Sequence, residues 1–309
     1  MRNFHWFPVT VVFLLVILVS ACVGAPTAAP TEAPQPNMAP TATSEPVLEP
    51  TVDFANQLED FNPDNFDDST NIDNQWLPFK PGMQYIYEGV TEEGGDIIPH
   101  RVVFTVTDLT KVIDGVRTVV AWDRDYSSGT LEENELVFYA QDIAGNVWHL
   151  GQYPEVYERG ELIEAPAWIT GIQDARAGIV MKAEPSLGTL SYSQGWGPAV
   201  NWTDRAQVAQ VGQHICVRVD CYEDVMVIDE FSQDEPGAFQ LKYYAPGVGN
   251  VRVGWRGLDA TREILELIEI IQLNPDALAE ARAQALEIEA RAYEISKEVY
   301  GQTPPLDSP

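Results

Sequence analysis

The sequence predicts a mainly β domain, a curved antiparallel sheet closed into a barrel or a sandwich, followed by one C-terminal α-helix. Three observations predict it. From Phe54 onward, aromatic and β-branched residues recur in short alternating runs, the period of half-buried strands. Turn residues separate several of these runs. No long helical pattern lies between them, which argues against a parallel βαβ sheet.

Strands are expected over 83–90, 100–108, 112–124, 134–141, 146–152, 204–212, 215–219, 222–229, 238–245 and 249–255. The turns are Asp114-Gly115, Ala144-Gly145-Asn146, Pro236-Gly237 and Gly247-Val248-Gly249-Asn250. The first falls inside the 112–124 run and implies a later start for that strand. Residues 164–200 are rich in Gly, Pro and Trp and read as a long excursion over the sheet. Residues 261–273 fit either period; their β-branched content and the preceding hairpin assign them as the last strand of a domain spanning 53–273.

A helix is expected over 274–301. Asn274 is placed to cap it, Pro275 suits its first turn, and Asp276 complements the positive end of its dipole. Leu278, Ala281, Ala285, Ile288, Ala292, Ile295 and Val299 form an apolar stripe at 3-4 spacing. Such a stripe docks on the protein's own sheet or pairs with a second copy as a short coiled coil. The Pro-containing tail, 302–309, is expected to be disordered.

The N-terminal segment has a different texture. Arg2 is the only formally charged residue among the first thirty, and an apolar run from Val9 to Val19 has the length of a signal peptide. It ends in Val19-Ser20-Ala21-Cys22, which resembles the lipobox of bacterial lipoproteins. That resemblance implies removal of residues 1–21 and lipidation of Cys22. The competing reading is an uncleaved membrane anchor, and both place the domain on the extracytoplasmic side. Each buried methylene adds about 0.8 kcal/mol, so two or three acyl chains anchor where one does not. Residues 22–52 form a Pro-, Thr- and Ala-rich linker that cannot bury enough apolar surface to fold. The expected location is therefore a cell membrane or outer membrane, with the domain held off it by the lipid and the linker.

The net charge of −29 repels phosphate backbones and excludes nucleic acid as a partner. With Cys22 lipidated, Cys216 and Cys221 remain as an even pair in an oxidising compartment. They flank Val217-Arg218-Val219-Asp220, so a hairpin would bring them opposite each other within disulfide reach. Closing so short a loop stabilises by roughly 2 kcal/mol at best. A redox or metal pair is the alternative, with His214 as the one nearby ligand. No cofactor and no metal is assigned from the sequence.

Three blocks carry a resemblance. They are Asn71-Ile72-Asp73-Asn74-Gln75-Trp76-Leu77-Pro78-Phe79-Lys80-Pro81-Gly82 with Tyr85-Ile86-Tyr87-Glu88-Gly89, Tyr139-Ala140-Gln141-Asp142-Ile143-Ala144-Gly145-Asn146-Val147-Trp148-His149-Leu150-Gly151, and Lys242-Tyr243-Tyr244-Ala245-Pro246-Gly247-Val248-Gly249. Together they resemble a family of uncharacterised exported bacterial proteins over roughly 55–273. The resemblance implies one exported β-rich domain and brings no activity and no catalytic residues. The fold expected is also loosely similar to periplasmic half-barrel lipoproteins that bind acyl chains.

No His-Glu-x-x-His motif, Gly-x-Ser-x-Gly elbow or phosphate-binding Gly-rich loop is present, which argues against zinc and serine hydrolases. A glycan hydrolase needs only two apposed carboxylates, and Glu135, Asp142 and Glu155 surround the central hairpin block. Asp60, Asp64, Asp67, Asp68 and Asp73 make an oxygen-rich segment that reads as a solvated loop or a calcium loop without EF-hand spacing. Trp148, Trp168, Trp196 and Trp202 are the candidate ligand-binding rings, placed to line a cleft for a small-molecule, lipid or glycan ligand or else to pack the core. The sequence thus points to a non-catalytic binding or structural surface lipoprotein. The alternatives are an extracytoplasmic glycan hydrolase and a module that self-associates through the C-terminal helix.

Overall fold

The computed structural model describes residue 54 and residues 56–309. The expected signal peptide, lipidation site and linker lie outside the described residues. Two antiparallel meanders make the fold. The first is β1 (Met83–Glu93), β2 (Asp96–Ile113), β3 (Val116–Ser127), β4 (Thr130–Gln141) and β5 (Val147–Glu158). The second is β11 (Arg205–Cys216), β12 (Cys221–Phe231), β13 (Ala238–Ala245), β14 (Gly249–Gly257) and β15 (Ile264–Gln272). Strand β1 pairs antiparallel with β15 and joins the meanders into one sheet.

Between them run the short strands β6 (Glu161–Glu164), β7 (Trp168–Ile169), β8 (Arg176–Met181), β9 (Tyr192–Ser193) and β10 (Gly195–Trp196). Strand β8 pairs with β5, β10 with β8, and β9 with β11. The five residues Tyr192–Trp196 therefore bridge the two free edges, and the sheet becomes a nearly closed barrel. This removes the exposed edges that a ten-strand open sheet would present.

The turn chemistry explains the register. Asp114 (φ 46°) and Gly115 (φ 84°) are both left-handed, as a two-residue hairpin turn of matching twist requires, so Ile113 pairs with Val116. Strand β2 runs unbroken through 100–113, and β3 starts only at Val116. Strand β5 continues past the expected end at 152, carrying Pro154 opposite Glu135. The expected strand at 215–219 is not formed. Strand β11 ends at Cys216 after three register shifts, and residues 217–220 make the turn.

The helix α1 (Pro275–Ile295) begins as the sequence indicates, with the Asn274 side chain accepting from the Ala277 N–H at 2.9 Å. It ends at Ile295, six residues before the expected boundary; after Ser296 the chain makes a short 3-10 turn at Tyr300–Gln302. Ala281, Ala285, Ile288 and Ala292 are buried against the outer face of the sheet, so the middle of the apolar stripe is covered within the chain, while Leu278 is half-buried and Ile295 exposed. The tail expected to be disordered is ordered. Leu306 is buried, and Asp307 and Thr110 exchange two backbone hydrogen bonds of 2.8 and 3.0 Å, which extend the sheet locally.

Candidate functional site

Strand alternation divides the sheet into two faces. The outer face carries Lys111, Phe138, Tyr153 and Glu155, which meet the helix and the C-terminal residues. The opposite parity points inward: Tyr85 and Tyr87 on β1, His100 on β2, Asp123 and Asp125 on β3, Glu135 and Tyr139 on β4. From the other meander come Glu230 on β12, Gln240, Lys242 and Tyr244 on β13, and Tyr192 on β9.

This interior is apolar in part, with Val102, Val253, Leu265 and Ile228 fully buried. One region of it is strongly ionisable. His100 is ion-paired with Asp125, and its Nδ1 lies 3.5 Å from Glu263 Oε1. The Gln240 amide donates to Glu263 Oε2 at 2.5 Å. Asp123 stands directly across from Glu135 on the neighbouring strand, a position in which side chains meet. Burial lowers His100, but the bond to Asp125 and the charges of Asp125 and Glu263 outweigh it and raise the imidazole to about 9. Burial pushes Asp123 up to about 6, with Asp125 adding to the effect and Lys242 opposing it. Glu263 is also raised by burial, against His100 and Lys242.

Tyrosines form the rest of the polar wall. Burial raises Tyr87, Tyr139, Tyr192 and Tyr244, and Glu230 adds to the shift of the last three. Their hydroxyls stay neutral and can donate. Tyr87 donates to the Asn250 carbonyl at 2.8 Å. The Tyr192 hydroxyl is buried, with the residue 1% exposed, and has no hydrogen-bond partner among the described residues. Asp123 and Tyr139, both on the inward parity, keep some accessible surface.

The residues singled out from the sequence have varied fates. Glu135 joins the interior group. Glu155 does not; it is fully buried on the outer face and held by Arg291 through bonds of 2.8 and 2.7 Å. Asp142 orders its own turn, accepting from the Ala144 and Asn146 N–H groups and from Trp148 Nε1 at 2.8 Å. Within 60–74, Asp67 accepts from the Asp68 N–H and Asp73 from the Gln141 amide, bonds of ordinary loop closure.

Three of the four tryptophans, Trp148, Trp168 and Trp202, are buried in packing. Trp148 is buried against Phe61 and Phe66. Trp168 and Trp202 are buried and stack on each other at 5.8 Å, with His149 set edge-on to both. Burial lowers His149 to about 3, so it remains a neutral packing ring. Trp196 is half-buried on the bridging segment. The physical reason is the glycine content of that segment: a Cβ on Gly195 would come within 2.7 Å of the Trp168 ring, so only glycine lets the chain lie on the stack. Cys216 and Cys221 form the expected disulfide between opposed strand ends.

Of the interior acids, the sequence singled out Glu135 and missed Asp123, Asp125 and Glu263, although a signal was present for the first two. Val119 and Ala121 set an inward parity that continues through Asp123 and Asp125. Among the described residues no helix is long and apolar enough to cross a membrane.

No family profile matches the sequence, and no curated protein matches it. Two solved structures are similar to it. One is an exported-protein candidate of Bacteroides fragilis with a YmcC-like fold, 12% identical, covering 64% of this chain and 99% of its own, at a TM-score of 0.39. The other is a lipoprotein candidate of Parabacteroides distasonis, 12% identical with the same coverages, at a TM-score of 0.31.

Proposed function

We propose that this protein is a membrane-anchored extracytoplasmic lipoprotein, a non-catalytic binding protein whose barrel interior takes up a small polar ligand. The leader ending at Cys22 supports the anchor. The carrying observation for binding is the interior group of Asp123, Asp125, Glu135, Glu263, His100 and Lys242. A barrel that served only as scaffold would fill with apolar side chains, because burying ionisable groups is costly. Four carboxylates against one lysine and one histidine favour a ligand bearing ammonium or hydroxyl groups. A bare acyl chain would desolvate those carboxylates without replacing their hydrogen bonds.

Thermal shift on the full chain tests this with three probes: spermidine, glucosamine and palmitate. Spermidine or glucosamine should raise the melting temperature of the wild type and not of an Asp123→Asn/Glu135→Gln variant. Stabilisation by palmitate alone overturns the reading. The anchor has its own measurement. Cys22→Ala should release the protein from the membrane fraction or block its processing, and unchanged retention with unchanged mass refutes lipidation.

One observation favours glycan hydrolysis as a second reading. Asp123 and Glu135 are apposed, and Asp123 is held near 6, where a carboxyl serves as general acid. Trp148, Trp168 and Trp202, candidates for stacking on a sugar, are buried in packing, and on that ground we rank binding first. Release of reducing sugar from a β-glucan by the wild type and not by Asp123→Asn would reverse that order.

A further inference from the structure

We infer that the tip of the β11–β12 hairpin is a redox-gated metal site, in which Cys216 and Cys221 form a staple when oxidised and bind zinc together with His214 when reduced. It is independent of the barrel interior. Alternation sends Ile215 and Tyr222 towards the core and His214, Cys216, Cys221 and Glu223 outward, where all four are exposed. Among the described residues, His214, Cys216 and Cys221 are the group of histidine, cysteine and acidic side chains whose ligand atoms lie within 4.8 Å of one another.

The distances match the metal's demands. His214 Nε2 lies 3.5 Å from Cys216 Sγ. A thiolate sulfur and an imidazole nitrogen on one tetrahedral zinc stand ~3.6 Å apart, and two thiolates ~3.8 Å. The first spacing is in place. The second is reached when the Cys216–Cys221 bond is broken and the two sulfurs move apart. On its other side, His214 Nδ1 lies 2.9 Å from Glu223 Oε1. With the ring proton on Nδ1, that contact leaves the Nε2 lone pair facing Cys216 Sγ, the arrangement in which outer carboxylates hold zinc-bound histidines. Three protein ligands leave a fourth position for a solvent or substrate atom.

The chemistry balances with a thiol reductant. Two thiols are oxidised to their disulfide as the Cys216–Cys221 bond is reduced to two thiols. Zinc then displaces both thiol protons and takes the neutral imidazole without a further proton. In the oxidised state neither sulfur carries the negative charge that the metal needs.

The test uses the full chain in detergent, oxidised or reduced with a phosphine, with zinc measured against a chromogenic chelator and cobalt(II) as the spectroscopic probe. The reduced chain should take up one zinc and show a sulfur-to-cobalt charge-transfer band; the oxidised chain should show neither. His214→Ala should lose the band's intensity and weaken zinc binding at least tenfold, and Glu223→Gln should keep the spectrum with binding about tenfold weaker. Cys216→Ser/Cys221→Ser should bind none, with near-ultraviolet circular dichroism confirming that each variant is folded. Absence of zinc uptake by the reduced chain, unchanged affinity in His214→Ala, or zinc retained by the double serine variant overturns the inference.

Discussion

Asp123 shows what an inward carboxylate does to a barrel. Burial is the main cause of its rise to about 6. An unfolded aspartate titrates near 3.9, so ionising Asp123 destabilises the fold progressively from about pH 4 to 6, and the penalty is complete above. Asp123→Asn should therefore stabilise the chain by roughly 2 kcal/mol at pH 8 and by almost nothing at pH 4. Urea unfolding at the two pH values checks this, and equal effects at both would remove the titration argument. His100 behaves in the opposite sense. Its folded pKa of about 9 exceeds the ordinary 6.5, so its contribution is full below 6.5 and is lost as pH rises through 9. Burial alone would lower it, so in Asp125→Asn the imidazole should titrate well below its wild-type value, read by proton NMR of the ring. These groups were legible in part. The parity of β3 marks Asp123 and Asp125 as inward, and Glu135 was among the carboxylates singled out, but nothing in the sequence set Asp123 opposite Glu135, because cross-strand register is a tertiary fact. Of the two readings of the tryptophans, packing holds for Trp148, Trp168 and Trp202. A Gly- and Pro-rich segment reads as exposed, whereas its glycines let the chain close onto the rings.

The helix is held to the sheet by charge as well as by its apolar stripe. Lys111 is fully buried, 3.2 Å from Glu289, and donates to the Pro304 carbonyl at 2.5 Å. Its ammonium sits 4.2 Å from the centre of the Tyr300 ring, a cation–π contact. Burial nonetheless lowers it to about 8, against the pull of Glu289. Removing one partner of such a pair strands the other. Lys111→Met should cost roughly 3–5 kcal/mol, and the double variant Lys111→Met/Glu289→Leu should recover most of that. A double-mutant cycle in urea checks it; a double variant as unstable as the single would mean that the helix docks by shape alone. The helix start was readable because Asn274-Pro275-Asp276 carries its own capping chemistry. Its end was not, since no glycine marks a stop; backbone bonds from the Ser296, Val299 and Gly301 N–H groups turn the chain instead. The tail was misjudged because its anchors, Lys111, Thr110 and Glu289, lie far away in sequence.

The whole molecule depends on how the two meanders meet. One junction, β1 with β15, is an eight-pair ladder with one bulge between Ile86 and Tyr87. At the other, strand pairing among the described residues is confined to Tyr192–Trp196, with two pairs to β11 and two to β8. A Cβ on Gly178 of β8 would lie 2.2 Å from the Gly195 nitrogen and 2.3 Å from the Gln194 carbonyl carbon. Both are backbone atoms fixed by that pairing, so they yield only if the junction opens. Gly178→Ala should therefore cost at least about 2 kcal/mol, in the range of overpacked cores. The loss should also be local: amide exchange should accelerate along β8 and the start of β11 while β1–β4 stay protected, as expected when one cooperative unit opens below the global barrier. Gly301→Ala, where the nearest atom to the new Cβ is 3.7 Å away, serves as the control and should change neither region. If Gly178→Ala leaves β8 and β11 as protected as in the wild type, the short bridge does not close the barrel. The polar interior would then lie open to solvent along its whole length, where its acids would titrate as ordinary carboxylates and Asp123→Asn would lose its pH-dependent gain.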